Sequence, residues 1–563
     1  MTRYTRILLL FNIQMRPLFR NFIIVGTFAL MALFGLFVSL SAPYISSGDE
    51  LVYLTGTLQA KEGTLPDAYM LQGYDYSVYL YPKIMSYWYE PLGYYAFKSI
   101  YLFALVLATG LSAYTLFRFL RLPWLPSLLL SVVLLIPRFS SGTEIFGILT
   151  FREAIGRQIA LPLFLVGTAF LIRRMIEKKS LWPVFGIFGF GLFLHPVTVM
   201  LFSFISLVAI TMTRLFQRVS ALKVFREVIV SGAVFVLSGS YFFIDVFARL
   251  ARGVADEGVS TDLYAQAIMF RNAWEFLPES LLFFRHMAIV SVFFVALIVI
   301  FYSIPALRLV RAKYLFPHGR EILVWGSTIA ISALVLTLAL PGINLYFMKS
   351  SGAPYIFQQW SRTSKFYYLG LFVALAPVAY VLWQWYLESK FRFKIVIVAL
   401  LVVGGIASSS FMFEVVQFMI GYKNFEKAYV PQSLSGIPDD TTANEYRETC
   451  NALTKFGATS TTTVISGNFA FRYYCKANLY VTLEEGAAYQ QLKRADVVNW
   501  YTQYFAQRNA LKDGNPRDIL NFANSVGADF VILPRTPKYA ALDTFKDREI
   551  IMTTKYIILK VNK

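Results

Sequence analysis

Long uncharged apolar runs recur along most of this chain, and they constrain its fold more than any other feature. Phe22–Leu40, Ile322–Leu340 and Ile395–Phe411 are the clearest examples, each close to the roughly 20 residues that a helix needs to cross a hydrocarbon core of about 30 Å. Hydrophobic residues make up 57% of the 563 residues, and charged residues only 15%. The chain is therefore predicted to be a polytopic α-helical membrane protein.

The loops between these runs predict the orientation of the chain. We predict about eleven spans, and every even-numbered span is followed by a short loop rich in arginine and lysine, the pattern of cytoplasmic loops. The N-terminus is then cytoplasmic, and an odd number of spans places the C-terminus outside. The net charge of +19 comes mainly from basic residues in these loops, which the positive-inside rule keeps on the cytoplasmic side. It therefore does not require a nucleic-acid partner. The predicted spans are 22–41, 98–117, 122–137, 158–172, 181–194, 197–213, 228–246, 286–305, 322–341, 366–386 and 394–412.

The sequence changes character after the last span. Residues 1–412 are predicted to form the transmembrane domain, with a tyrosine-rich, amphipathic first outer loop at 42–97, and residues 413–563 a soluble, exported α/β domain. Predicted strands lie at 461–466, 478–482, 529–533 and 556–561, and predicted helices at 441–456, 489–506 and 516–526. The only two cysteines, Cys450 and Cys475, fall in this domain. An oxidising compartment favours a disulfide between them, and two unrelated buried thiols are the alternative.

Asp49 and Glu50, just after the first span, are the main candidates for chemistry. The two carboxylates can hold a divalent cation, Mg²⁺ or Mn²⁺, or deprotonate an acceptor hydroxyl at the outer membrane surface. They can also simply begin a helix over Leu51–Gln59, since acidic residues are favourable at a helix N-terminus. The two interpretations are compatible.

Several cations are predicted on the side where the positive-inside rule disfavours them. Arg362 and Lys365, before the tenth span, are candidates for binding a lipid phosphate, as are Arg152 and Arg157 before the fourth, with Arg138 as a further possibility. Snorkelling to lipid headgroups is the alternative for the first pair, and a structural ion pair for the second.

The histidines and the absence of nucleotide-binding motifs give little further indication of function. His195, His286 and His318 are scattered, and the sequence has no Walker loop, no Gly-x-Gly-x-x-Gly after a strand and no Gly-x-Ser-x-Gly. His195, between the fifth and sixth spans, is a candidate proton carrier, with a buried, hydrogen-bonded turn histidine as the alternative.

The acidic pair after the first span, the long first outer loop, the span count and the exported tail resemble the GT-C superfamily of integral-membrane glycosyltransferases. The tail is similar to that of uncharacterised bacterial GT-C-like proteins at Phe471-Arg472-Tyr473-Tyr474 and at Gly527–Leu533, as is Leu194-His195-Pro196. The resemblance implies that Asp49 is the catalytic or metal-binding carboxylate, with Glu50 beside it. It also implies that Arg362 or Lys365 holds the donor phosphate. A Trp-Trp-Asp type motif, found in the oligosaccharyltransferase branch, is absent from the tail.

The expected function is transfer of a hexosyl or pentosyl group from a polyprenyl-phosphate donor to a glycan, lipid or protein acceptor. The reaction would take place at the outer face of the cytoplasmic (inner) membrane. Two alternatives stay open. A non-catalytic scaffold of the same fold would recruit membrane-complex partners through 413–563. A lipid transporter would be expected to carry ionisable residues in mid-span, and the predicted spans contain few, Asp245 being the main exception.

Overall fold

The structure is a computed structural model, and helices dominate its N-terminal part. It describes residues 17–40, 51, 53–55, 57, 80–135, 154, 156–244, 258–271, 292, 295–296, 299, 301, 318–351, 363–388, 441–459, 461–483, 486, 494–539 and 549–561. The helices before residue 389 are α1 (Pro17–Leu40), α2 (Leu80–Phe119), α3 (Trp124–Leu135), α4 (Leu161–Ile176), α5 (Trp182–Gly191), α6 (Pro196–Phe216), α7 (Ala221–Ser238), α8 (Thr261–Arg271), α9 (Gly319–Ser351) and α10 (Ser364–Glu388). A 3₁₀ segment, Gly156–Ala160, leads into α4.

Six of the described helical segments are long and apolar enough to cross a membrane, so the chain is a polytopic membrane protein. They are Pro17–Leu36, Ala96–Phe119, Gly156–Ile176, Pro196–Phe216, Gly319–Ser350 and Lys365–Glu388. Each coincides with a predicted span. Trp124–Leu135 and Trp182–Gly191 are apolar but shorter, and α7 covers only part of the predicted span 228–246. The predicted spans 286–305 and 394–412 lie almost wholly outside the described residues.

Two helices extend well beyond their predicted spans. Helix α2 begins at Leu80 rather than at 98, because the chain stays helical on both sides of a kink at Gly93 (φ 72°, ψ 157°) next to Pro91. Helix α9 continues through Pro341 to Ser351, so residues 343–351, which the sequence placed in an outer loop, are helical. A proline is tolerated inside a membrane helix when neighbouring helices compensate for the lost backbone hydrogen bond.

Aromatic contacts fix the relative direction of the helices. Phe119, the last residue of α2, has its ring 5.8 Å from that of Phe170 and 5.6 Å from the Arg173 guanidinium, both in the second half of α4. The 3₁₀ segment before α4 also contacts α2, so these two helices run parallel. At the other end of the bundle, Phe164 of α4, Phe202 of α6 and Phe366 of α10 form a three-ring cluster with centroids 4.7–5.4 Å apart. Helices α2, α4, α6 and α10 therefore all begin at the same end of the bundle.

Helices α9 and α10 pack most closely, through small residues on both. A Cβ at Gly326 would clash with the backbone of Gly370 and Ala374, and a Cβ at Gly370 with that of Ala330. Gly326/Ala330 and Gly370/Ala374 thus form two facing small-xxx-small motifs, which let membrane helices approach closely. The hydroxyls of Thr337 and Thr363 are hydrogen-bonded across the same pair. This packing fixes where α10 begins, and with it the position of Lys365.

The C-terminal part forms a five-stranded mixed sheet flanked by helices. Its elements are α11 (Thr441–Lys455), β1 (Thr463–Ile465), α12 (Ala470–Tyr474), β2 (Asn478–Leu479), α13 (Arg494–Lys512), α14 (Pro516–Ser525), β3 (Phe530–Pro534), β4 (Ile550–Met552) and β5 (Tyr556–Lys560). The strand order is β2-β1-β3-β5-β4; β1 is parallel to β2 and β3, whereas β5 is antiparallel to β3 and β4. The four predicted strands and three predicted helices are all present, with β4 and α12 in addition.

The predicted disulfide between Cys450 and Cys475 is also present. It joins α11 to the residue that follows α12. Tyr446 of α11 stacks on Tyr474 of α12, with ring centroids 5.1 Å apart, so ring packing and a covalent bond hold the same two helices together.

Candidate functional site

Four polar residues lie where membrane helices begin, at one end of the bundle, which we call the lysine end. Lys98 is two residues inside Ala96–Phe119, Gln158 two residues inside Gly156–Ile176, and Lys365 the first residue of Lys365–Glu388. His195 directly precedes Pro196–Phe216. The phenylalanine cluster of α4, α6 and α10 lies just inside this end. The sequence predicted Lys365 and His195 as site residues but missed Lys98 and Gln158.

Lys98 is a buried cation in an aromatic setting. Its side chain is only 2% exposed, and its Nζ lies 6.0 Å from the centroid of the Tyr94 ring. Phe97 and Tyr101 on the same helix stack with centroids 5.9 Å apart. The aromatic face attracts the ammonium, and Lys98 has further interactions within the protein as well.

Lys365 is buried even more completely, with 0% exposure. Its Nζ lies 5.6 Å from the centroid of the Phe366 ring, which belongs to the phenylalanine cluster. Thr363, which hydrogen-bonds Thr337 of α9, is also fully buried. A snorkelling lysine would reach the headgroup layer and be exposed, whereas the Lys365 side chain is enclosed by the protein. Arg362, the predicted partner of Lys365, lies outside the described residues, as do Arg138 and Arg152.

His195 and Arg157 have definite places at the lysine end. The Nδ1 of His195 accepts a hydrogen bond from the Thr198 backbone N–H at 3.3 Å and thereby caps α6. This geometry matches the hydrogen-bonded turn histidine and leaves Nε2 to carry the proton when the ring is neutral. Arg157 lies in the 3₁₀ segment with its Nε buried, and that segment contacts α2, α4 and α6.

The C-terminal domain covers the lysine end at two places. Tyr473 of α12 packs in an apolar cluster with Met85, Tyr94 and Phe97 of α2, and the last two lie within about one helical turn of Lys98. This tyrosine belongs to the Phe-Arg-Tyr-Tyr motif noted in the sequence, which therefore lies at the contact between the two domains.

Helix α8 makes the second contact. Its residues Tyr264 and Ile268 pack with Met348 at the end of α9 and with Val481 and Trp500 of the C-terminal domain. The ring centroids of Phe270 and Phe505 are 4.8 Å apart. Burial raises the pKa of the Tyr264 hydroxyl, so this group stays neutral and can be accommodated in an apolar contact. Helix α8 thus lies between the membrane bundle and the domain that covers it.

Asp49 and Glu50 lie outside the described residues, but the segment that follows them is described in part. Residues 51, 53–55 and 57 are helical, as predicted for Leu51–Gln59. Leu54 is a buried member of the same cluster as Tyr94 and Tyr473, and Leu51 packs against that cluster. The Thr57 hydroxyl donates to the backbone carbonyl of Tyr53 at 2.8 Å. The acidic pair is therefore joined in sequence to a helix that packs beside Lys98.

Within the described ranges, no group of three or more His, Cys, Asp or Glu side chains is arranged to hold a metal ion. The predicted ligand, Asp49, is not among those residues, so the proposed Mg²⁺ or Mn²⁺ stays a prediction.

The opposite end of the bundle is also basic, and most of its cations are exposed; Arg214, at the end of α6, is 12% exposed and pairs with Glu227. We call it the basic-turn end, and it consists of the turns after α2, α4 and α6. Arg173 donates from Nε to Glu177 Oε1 at 2.8 Å, and Lys179 lies 2.9 Å from Glu177 Oε2. Hydrogen bonds from Arg173 and Lys179 lower the pKa of Glu177 to about 2. These charges are neutralised locally by a carboxylate in contact with water.

Comparison with known proteins finds similarity of overall shape among solved structures only. A scan against models of protein families finds no match, and a search of curated proteins finds none either. Among solved structures, the chain is similar to ArnT from Cupriavidus metallidurans, whose crystal structure has undecaprenyl phosphate bound, with a TM-score of 0.43 and 11% sequence identity. The similarity covers 96% of this chain and 98% of that one. At this level of overlap and identity, it assigns no function to the chain.

Proposed function

We propose that this chain is a membrane glycosyltransferase that takes a sugar from a polyprenyl-phosphate donor at the outer face of the cytoplasmic membrane. The observation that carries the proposal is the burial of Lys98 and Lys365 where two membrane helices begin. Charge at this depth is costly and marks functional sites in membrane proteins. Both lysines contact protein atoms, and each ammonium has three N–H donors, so a phosphate can bind in addition to those contacts.

A lipid phosphate fits this position because of where its charge lies. Its isoprenoid chain belongs in the hydrocarbon layer, and its phosphate at the boundary, which is the depth of the first residues of a membrane span. Hydrogen bonds from a charged donor to phosphate are about twice as strong as neutral ones. We assign Lys365 and Lys98 to the donor phosphate, with Arg362, Arg152 and Arg157 as further candidates.

In the proposed reaction, an acceptor hydroxyl attacks the anomeric carbon of the sugar. The bond between that carbon and the phosphate oxygen breaks, and the polyprenyl phosphate leaves with the bonding electrons. The hydroxyl proton passes to the Asp49 carboxylate. Alternatively, Asp49 and Glu50 would hold a divalent cation, which would supply positive charge beside the phosphate, and the proton then passes to the departing phosphate. The two lysines stabilise the same leaving phosphate electrostatically.

The arrangement of the two ends supports the proposed orientation. The basic turns after α2, α4 and α6 lie at one end, which the positive-inside rule assigns to the cytoplasm. The lysine end and the C-terminal domain lie at the other. We therefore propose that the C-terminal domain, with its disulfide, is periplasmic or extracellular, where such bonds persist.

The direct test is Asp49→Asn, assayed for sugar transfer from polyprenyl-phosphate donors in native membranes. Loss of a general base lowers the rate by about 10²–10⁴-fold, while the amount of folded protein should stay the same because Asn and Asp are similarly good N-caps. Full activity of the variant would contradict the proposal and favour the non-catalytic scaffold. A loss of folded protein would show that Asp49 is a structural cap.

A further inference from the structure

Gln158 is the most unusual polar residue at the lysine end. Its side chain has 0% exposure, and within the described part of the chain neither its amide nitrogen Nε2 nor its amide oxygen Oε1 has a hydrogen-bond partner. By contrast, the hydroxyl of the buried Thr168 on α4 donates to the Phe164 carbonyl at 2.7 Å.

An amide in this position is destabilising unless something binds it. Leaving a buried donor or acceptor unsatisfied costs about 1–3 kcal/mol, and a side chain with 0% exposure has no solvent in contact to compensate. Leucine or methionine would fill similar space without that cost. The 3₁₀ segment that carries Gln158 leads directly into α4 and contacts α2 and α6, and it lies at the end of the bundle where α4 begins. Gln158 is therefore close to the proposed phosphate-binding end of the bundle.

Resting on the proposed function, we infer that Gln158 binds a hydroxyl group of the sugar that is transferred. A side-chain amide is neutral and has both a donor and an acceptor, and a hydroxyl is neutral and has both as well. A phosphate is recognised better by the two lysines, because a charged donor gives the stronger hydrogen bond. The lysines and Gln158 thus bind different parts of the lipid-linked sugar donor. The lysines bind the phosphate common to all such lipids, and Gln158 distinguishes the sugar attached to it.

The experiment compares two classes of lipid on the same protein. The full-length chain and its Gln158→Met variant are placed in nanodiscs. Dissociation constants are measured for bare polyprenyl phosphate and for polyprenyl-phosphate-linked glucose, mannose and arabinose. Losing two neutral hydrogen bonds should weaken binding of the preferred sugar-linked lipid about tenfold and leave binding of the bare lipid unchanged. The melting temperature of the ligand-free variant should be unchanged or higher, because an unsatisfied amide has been removed.

Trp325→Phe is a matched control. Trp325 is 2% exposed, and its Nε1 also has no partner in the described part of the chain, but it lies near the start of α9, toward the basic-turn end. This variant should bind all the lipids as the parent chain does. Gln158→Leu is a second apolar replacement, for use if the Met variant does not fold.

Three results would overturn the inference. If the Gln158 variants bind every sugar-linked lipid as tightly as the parent chain, Gln158 does not contact the sugar. If they lose the bare and the sugar-linked lipids equally, Gln158 acts on the phosphate or on packing. If the parent chain binds neither class, the proposed function itself fails and the inference fails with it. That last result is seen in the parent chain itself, so it can be distinguished from the other two, which are seen only in the variants.

Discussion

The two ends of the helix bundle are both basic, yet they use their cations in opposite ways. At the basic-turn end, Arg173 and Lys179 are exposed and pair with Glu177. At the lysine end, Lys98 and Lys365 are buried beside aromatic rings. An exposed cation has little desolvation cost, so orienting the chain in the membrane is a sufficient reason for its presence. A buried cation has a large desolvation cost. Lys98 and Lys365 both interact with other groups of the protein, and we propose that they bind an anionic ligand in addition.

The backbone differs between the two ends as well. The turns after α2, α4 and α6 each place a basic residue, Arg121, Lys178 and Arg218, in the left-handed region, with φ of 54–64°. Each turn has the same hydrogen bond, such as Lys179 N–H to the Arg174 carbonyl at 2.8 Å, which defines the Schellman motif. Glycine is the usual residue there. An arginine or lysine at these three positions places a positive charge in the turn, but its backbone is strained because a residue with a side chain adopts a positive φ.

The largest expected effect is on lipid binding, and it comes from removing the buried cations of the lysine end. Replacing both Lys98 and Lys365 with methionine removes two charged hydrogen-bond donors and should weaken binding of polyprenyl phosphate by at least about 100-fold. Dissociation constants in nanodiscs would measure this. Replacing Lys178 and Lys179 with methionine removes the same charge from the other end and should leave binding unchanged. Equal losses from the two double variants would mean that only general charge attraction is at work.

The next effect concerns the domain that covers the lysine end. Cys450 and Cys475 are 25 residues apart in sequence, so the free energy of unfolding of the C-terminal domain should fall by about 3 kcal/mol in a Cys450→Ser/Cys475→Ser variant. Denaturant titration followed by tryptophan fluorescence would report it.

The same disulfide tests which side of the membrane the covering domain occupies. Cells are denatured and treated with a thiol reagent, with and without reductant. We expect labelling only after reduction. Labelling without reductant would mean that the bond is absent in the cell, and protection of the domain from external protease would contradict the proposed orientation.

The smallest expected effect is on stability, and it comes from relieving backbone strain in one turn of the basic-turn end. Lys178→Gly should raise the free energy of unfolding by about 1 kcal/mol, because it relieves a left-handed residue with a side chain. Lys178→Ala removes the same charge but keeps the strain, so it should give no gain. Thermal unfolding of the two variants would separate them, and equal stabilities would show that φ at residue 178 stores no strain.

Features that depend on local pattern could be predicted from the sequence. The six described spans follow from apolar runs, and the disulfide from two cysteines confined to one domain. The strands at 463–465, 530–534 and 556–560 follow from β-branched and apolar runs. Strand β4 escaped prediction because it has only three residues, and α12 because it has five. The extension of α2 back to Leu80 was missed because these residues were assigned to the outer loop 42–97; Pro91 and Gly93 lie inside the helix and only kink it.

The site was predictable only in part, because burial is a tertiary property. Lys365 was identified from its place before a span. Lys98 and Gln158 were not, since nothing in their neighbouring sequence shows that other helices enclose them. The spacing of Gly326/Ala330 and Gly370/Ala374 was visible in the sequence and could have predicted the close pairing of α9 and α10, which positions Lys365.

The central claim is that the lysine end binds the donor phosphate. The most direct test is a structure of the full-length chain in nanodiscs with polyprenyl phosphate. The account predicts density for the phosphate within hydrogen-bonding distance of the Nζ of Lys365 or Lys98, below the C-terminal domain. Density for the phosphate at the turns after α2, α4 and α6, with none at the lysine end, would contradict it.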